Sequence, residues 1–176
     1  MLKISCVQKF TMAESFSFDV VSDFDRQELV NALDQAKREI SQRYDLKGTD
    51  TTVDLDKENI FIITNSELTL NAVNDIIRQK AIKRNLSLKI FDYGDIEIVT
   101  GNKVRQTILL KQGIKQEIAK KISKNIRYQI KKINGSINGE TLRVSSKSKN
   151  DLQLAIKLVS ELEESLNIPL KANNFR

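Results

Sequence analysis

The chain has no histidine and no tryptophan among its 176 residues, and only one cysteine and one proline. Without histidine there is no Ser-His-Asp triad, no imidazole general base and no histidine metal ligand. A lone cysteine, Cys6, forbids an intrachain disulfide, and with no imidazole to activate it a thiolate nucleophile is not expected. A single thiol suits a reducing compartment, so a cytoplasmic location is expected. No apolar run approaches the roughly 20 residues that cross a bilayer. The apolar patch between Lys3 and Lys9 is too brief for a secretory leader. No membrane partner is expected. Neither a Gly-rich P-loop nor a Gly-x-Gly-x-x-Gly fingerprint occurs, and the Gly-and-Glu pattern of an EF-hand loop is missing too. These absences point away from an enzyme and toward a protein that binds without a cofactor.

What is present is an ordinary globular composition, 40% apolar and 30% charged, with its charge unevenly placed. Residues 1–95 hold 13 Lys and Arg against 16 Asp and Glu, whereas residues 96–176 hold 16 against 7, giving −3 and +9 within a net +6. A basic C-terminal half predicts an anionic partner, a phosphate group or a nucleic acid.

Periodicity divides the chain into strands and helices. Phe18, Val20 and Val21 form a strand run. Asp25, with Glu28 three residues on, opens a helix carrying Leu29, Leu33, Ala36 and Ile40 at helical spacing toward Gly48. Thr51 to Leu55 and Ile60 to Thr64 read as a hairpin about the turn Asp56 to Asn59. Ser66 caps a second helix with Leu70, Val73, Ile77 and Ala81 on one face, and Leu86 to Tyr93 reads as a further strand. The order then repeats. Arg105 to Lys111 is a strand and Gly113 precedes a helix bearing Ile114, Ile118 and Ile122. Ile126 to Ile133 reads as a strand, Asn134 to Gly139 as a turn and Thr141 to Ser145 as the returning strand. Ser148 with Asp151 opens a helix with Leu152, Ala155, Ile156, Val159 and Leu162, and Ile168 to Ala172 is an edge strand whose Pro169 is tolerated near its start. The fold class is thus α+β: two ferredoxin-like βαββαβ units in tandem, each an antiparallel sheet with helices on one face. The expected division is an N-terminal extension over 1–13, poorly ordered, with Met12 as an alternative start; a first repeat over 14–95; and a second, basic repeat over 96–176.

Four blocks carry a resemblance: "FDVVSDFDRQELVNALDQAKREISQRYDLKG" from Phe18, "LLKQGI" at Leu109 to Ile114, "RVSSKSKNDLQ" at Arg143 to Gln153, and "NNFR" at Asn173 to Arg176. In this order they resemble the bacterial YajQ family from Glu14 to the C-terminus. The resemblance implies nucleotide or nucleic-acid binding and, for some members, cyclic di-GMP. It also implies that the two repeats exchange their first strands, so that neither is a stable domain alone.

Two sets of candidate residues follow. For a nucleotide, Lys111 and Gly113 precede a helix whose free N–H groups favour an anion. Arg143 alternates with Leu142 and Val144 and so points away from them. Ser145, Ser146, Lys147 and Ser148 form a polar cationic turn into another helix, suited either to phosphate or simply to capping by Ser148. Phe175 either stacks on a base or anchors the last strand, and Arg176 either pairs with phosphate or is solvated. Lys111, Arg143, Lys147 and Arg176 together would engage a cyclic dinucleotide, in a sensing role that alters contact with a partner protein. For a nucleic acid, Lys120, Lys124 and Arg127 share one helical face beside Lys121, and Lys131 and Lys132 follow; the same run is equally readable as a solvated face. The strands Ile60 to Thr64 and Thr141 to Ser145 carry one aromatic between them, so RNA binding is expected to rest on charge and shape rather than base stacking. The acidic clusters Asp19, Asp23, Asp25 and Asp50, Asp54, Asp56 read as caps and hairpin residues, so no metal is expected.

Overall fold

A computed structural model describes residues 15–176; the expected extension, Cys6 and Met12 lie outside the described residues. Eight strands and four helices are seen there, in the order β1 (Phe16–Val21), α1 (Arg26–Gln42), β2 (Thr52–Leu55), β3 (Asn59–Thr64), α2 (Glu67–Lys83), β4 (Phe91–Val99), β5 (Lys103–Leu110), α3 (Gln116–Gln129), β6 (Ile133–Asn138), β7 (Thr141–Ser146), α4 (Lys149–Leu166) and β8 (Lys171–Asn173). They form two antiparallel four-stranded sheets, ordered β6-β7-β1-β8 and β2-β3-β5-β4, each backed by two helices. This is the α+β class expected, consistent with two ferredoxin-like units.

The sheets are not assembled from contiguous halves of the chain. β1 pairs with β7 (Phe18 opposite Val144) and with β8 (Asp19 opposite Asn173). β5 lies between β3 and β4, with Ile108 opposite Ile60 and Tyr93. The chain crosses between units over residues 22–25 and 111–115, where Gly113 N donates to Ser22 O at 2.7 Å. Residue 95, where the sequence suggests a repeat boundary, lies inside β4.

Each unit has its own core. Leu29, Leu33 and Ala36 of α1 and Leu70, Val73 and Ile77 of α2 cover Ile60, Ile62 and Ile108. Ile122 and Ile126 of α3 and Leu152, Ala155 and Val159 of α4 cover Phe18, Val20, Leu142 and Val144. Burying each of the Leu, Ile, Val and Phe side chains among them contributes about 1.5–3 kcal/mol. Three of the four helices begin where a side chain satisfies free N–H groups. Asp25 accepts from Gln27 N and Glu28 N, Ser66 from Thr69 N, and Ser148 from Asp151 N.

Three expectations are corrected. Ile126 to Ile133 is not a strand: α3 runs on to Gln129 because Ile126 extends the four-residue recurrence of Ile118 and Ile122, and β6 begins only at Ile133. Asn134 to Asn138 consequently belongs to that strand rather than to a turn. Leu86 to Tyr93 is not a strand throughout. Leu88–Ile90 is a 3-10 turn, and β4 continues past Gly94 to Val99 through an irregularity between Tyr93 and Ile96. A Cβ at Gly94 would lie 2.8 Å from Thr107 O, so the close strand approach requires glycine there.

Candidate functional site

The sequence of α3 places three kinds of residue on three stripes. Ala119, Ile122 and Ile126 are buried. Lys120, Lys124 and Arg127, spaced at four and three, turn toward edge strand β6. With Ser123, Gly135, Ser136 and Ile137 they line an open groove of about 540 Å³. There the Arg127 guanidinium donates from Nη2 to Gly135 O at 2.9 Å. Lys121, Asn125 and Tyr128 turn the other way, toward α4. With Lys124 they line a second cleft, of about 380 Å³, against Leu162, Ser165 and Leu166. Lys124 thus borders both depressions.

A third depression, about 360 Å³, lies at the turns around α3–β6 and β7–α4, lined by Lys131, Lys132, Asn134, Ser145, Ser146, Lys147, Ser148 and Asp151, with Ser15 at its rim. Two of its serines, Ser146 and Ser148, are engaged internally. Ser148 Oγ accepts from Asp151 N at 3.3 Å, and Ser146 Oγ accepts from Ser148 N and donates to Lys132 O, both at 3.2 Å. Capping therefore accounts for the hydroxyls. The lysines are different: among the described residues, Lys120, Lys121, Lys124, Arg127, Lys131, Lys132 and Lys147 take part in none of the ion pairs.

Lys111 and Gly113 sit elsewhere, in a cleft of about 570 Å³ between the two units. Three cations, Lys57, Lys111 and Lys115, face three carboxylates there, Glu58, Asp92 and Glu140. Lys111 Nζ donates to Asn167 O at 3.3 Å and lies 4.0 Å from Asp92. Gly113 adopts φ +77, a conformation that favours glycine, and a Cβ on it would meet the movable Glu140 carboxylate at 2.5 Å.

Arg143 is neutralised within the fold. Its guanidinium donates to both oxygens of Asp19 at 2.8 and 3.1 Å. Asp19 is only 7% exposed and also accepts from Asn174 Nδ2 at 3.2 Å. The Arg143 hydrogen bond, reinforced by Asn174, holds the Asp19 carboxyl below its ordinary range against the opposing effect of burial. The C-terminal tail runs on beside β1, with Arg176 and Ser17 exchanging backbone hydrogen bonds at 2.9 and 3.0 Å. Phe175 packs its ring 5.9 Å from that of Phe18 yet stays 62% exposed. Lys111 and Lys147 therefore line different cavities, and Arg143 belongs to a third locality with the tail. The seven nucleotide candidates, Lys111, Gly113, Arg143, Ser146, Lys147, Phe175 and Arg176, do not converge on one depression. The nucleic-acid candidates Lys120, Lys121, Lys124 and Arg127 do adjoin one another along α3.

Tyr128 was not among the residues singled out by sequence, because the strand expected from Ile126 cut α3 short of it. Its signal is the spacing Lys121, Lys124, Asn125, Tyr128, which holds only if the helix continues. Among the described residues no three Asp, Glu or Cys side chains converge to hold a metal ion, and no helix is long and apolar enough to cross a membrane. Asp25 is spent on its helix cap and Asp56 accepts from Lys57 N.

Comparison with known proteins places this geometry. The family described as nucleotide-binding protein YajQ-like matches residues 16–176. A nucleotide-binding protein of Prochlorococcus marinus strain MIT 9301 is 93% identical over 165 residues, 94% of this chain and 100% of the relative. With the same coverage, one from strain CCMP1986 is 79% identical and one from strain MIT 9211 is 56% identical. Matched from residue 16 to residue 176, the chain belongs to the YajQ-like family.

Proposed function

We propose that the protein binds nucleotides through their phosphates, and that its preferred ligand is a polynucleotide laid along α3 and the adjoining turns. One observation carries this reading. The cations of α3 and of the turns before β6 and α4 lack internal ion-pair partners, whereas Arg143 and Lys111 face carboxylates. Cations left uncompensated along a surface can neutralise phosphates, and the counterions that a polynucleotide then releases favour its binding. The open shape of these depressions supports an extended ligand over an enclosed one. The relatives' names, nucleotide-binding protein, support the same class of ligand. Nothing in the reading calls for turnover.

Fluorescence anisotropy of a labelled oligonucleotide across a salt series tests it. Affinity should fall steeply with salt, and Lys120→Glu with Lys124→Glu should weaken binding for all sequences alike. Losing two phosphate contacts should flatten the slope of log affinity against log salt by about 1.4 for a single strand. Binding indifferent to salt, or to the double substitution, would refute the proposal.

A second reading is a compact guanine nucleotide, such as a cyclic dinucleotide, in the cleft holding Lys111, Gly113 and Lys115. Its support is size: about 570 Å³ falls within the ~300–1,000 Å³ of small-ligand sites. Calorimetric titration with GTP and cyclic di-GMP should then give heat that Lys111→Glu abolishes; heat unaltered by that change would dismiss the cleft.

A further inference from the structure

We infer that Tyr128 is a stacking platform for an unpaired base, so that the strand held along α3 is single-stranded. This rests on the phosphate-binding reading above and adds to it what faces the bases. Tyr128 is 87% exposed on the outer flank of α3. It takes part in none of the ring–ring or cation–ring contacts of the described residues. One and two turns earlier on the same stripe stand Lys124, Asn125 and Lys121. Beneath lies an apolar floor from α4, Leu162 and Leu166, and no carboxylate lines the cleft.

Each part matches one part of a nucleotide. An aromatic face with apolar surroundings suits a base of any identity. Two lysines within two helical turns of it suit the flanking phosphates, and the Asn125 amide can donate and accept at a base edge. Lys124 borders both this cleft and the β6 groove, so a strand held at Lys124 from the groove side can turn its base onto the ring. A paired duplex keeps its bases stacked on each other and offers Tyr128 no free face. An acidic or purely apolar protein segment fits less well: the first has no use for the ring, the second none for the uncompensated lysines. The aromatics sought on the central strands of the sheets are thus replaced by one on a helix.

The test compares oligothymidylate, oligouridylate, an abasic strand of equal length and a duplex, each against the wild-type chain, Tyr128→Ala and Tyr128→Phe. Tyr128→Ala should lose roughly tenfold in affinity for both base-bearing single strands, the effect of one stacked base. It should leave the abasic strand and the duplex unchanged, and Tyr128→Phe should retain wild-type affinity. If all probes bind with the expected salt dependence but Tyr128→Ala changes none of them, the stacking role is wrong while phosphate binding stands. If the wild-type chain binds the duplex as tightly as the single strands, the single-strand assignment is wrong. If no probe binds, both readings fall together.

Discussion

Asp19 shows how much one residue can hide. In the sequence it sits in an acidic cluster near a strand, and its partner Arg143 lies 124 residues away. Alternation alone placed Arg143 opposite Leu142 and Val144, which is where it stands, but alternation cannot see that the outward face already holds a carboxylate. The pair gives a pH prediction. The folded Asp19 titrates below its unfolded value, near 3.9 for a free aspartate. Its stabilisation is therefore complete above about pH 4 and disappears as pH falls through the depressed folded value. Glu39, held below its usual range by the hydrogen bond from Lys80, adds a loss in the same direction. Urea midpoints followed from pH 7 downward should drop more steeply for the wild-type chain than for Asp19→Asn, which is less stable at neutral pH but has nothing to titrate. Parallel curves would mean that the ion pair is idle.

At the scale of elements, helix starts were the most legible feature. Asp25, Ser66 and Ser148 each cap the helix their sequence announces, because a side-chain oxygen two or three residues before a free N–H is a local signal. Ser148→Ala should cost about 1 kcal/mol in thermal or urea unfolding, with oligonucleotide affinity unaffected if the serine only caps. The end of α3 was illegible for an equally local reason: Ile126 and Ile130, four apart, share one face of a helix or of a strand alike, and only packing against α4 and the sheet decides. Ile122, wholly buried in that packing, is the residue to test. Ile122→Ala should cost about 2–5 kcal/mol, read from the urea midpoint at unchanged denaturant sensitivity. The uncompensated lysines of α3 were visible as a run but not as a surface, since whether a charge finds a partner depends on elements distant in sequence.

For the molecule as a whole, local pattern supplied the number and kind of elements but not which strands pair. One sheet takes its inner strand β1 from across the crossing, whereas the inner strand β5 of the other follows β4 directly, so cutting between residues 95 and 96 removes β1 from the one and β5 from the other. The isolated segment 96–176 should lack cooperative unfolding by circular dichroism. A chain joining residues 15–23 to 111–176 through a flexible linker should recover it, because it restores β1 beside β7 and β8. The join is short, since Ser22 and Gly113 already touch across the crossing. Folding of segment 96–176 alone, with the rejoined chain gaining nothing, would contradict the pairing.

The same arrangement governs how the protein comes into being. During synthesis β1 emerges well before its partners β7 and β8, so a hydrophobic strand with Phe18 and Val20 must travel unpaired while residues 22–140 are made. The unit of α1 and α2 can close as soon as β5 leaves the ribosome; the basic unit cannot close before β8 does. Contacts this distant along the chain slow folding, and the surface proposed to grip nucleic acid becomes available only after the other unit has formed.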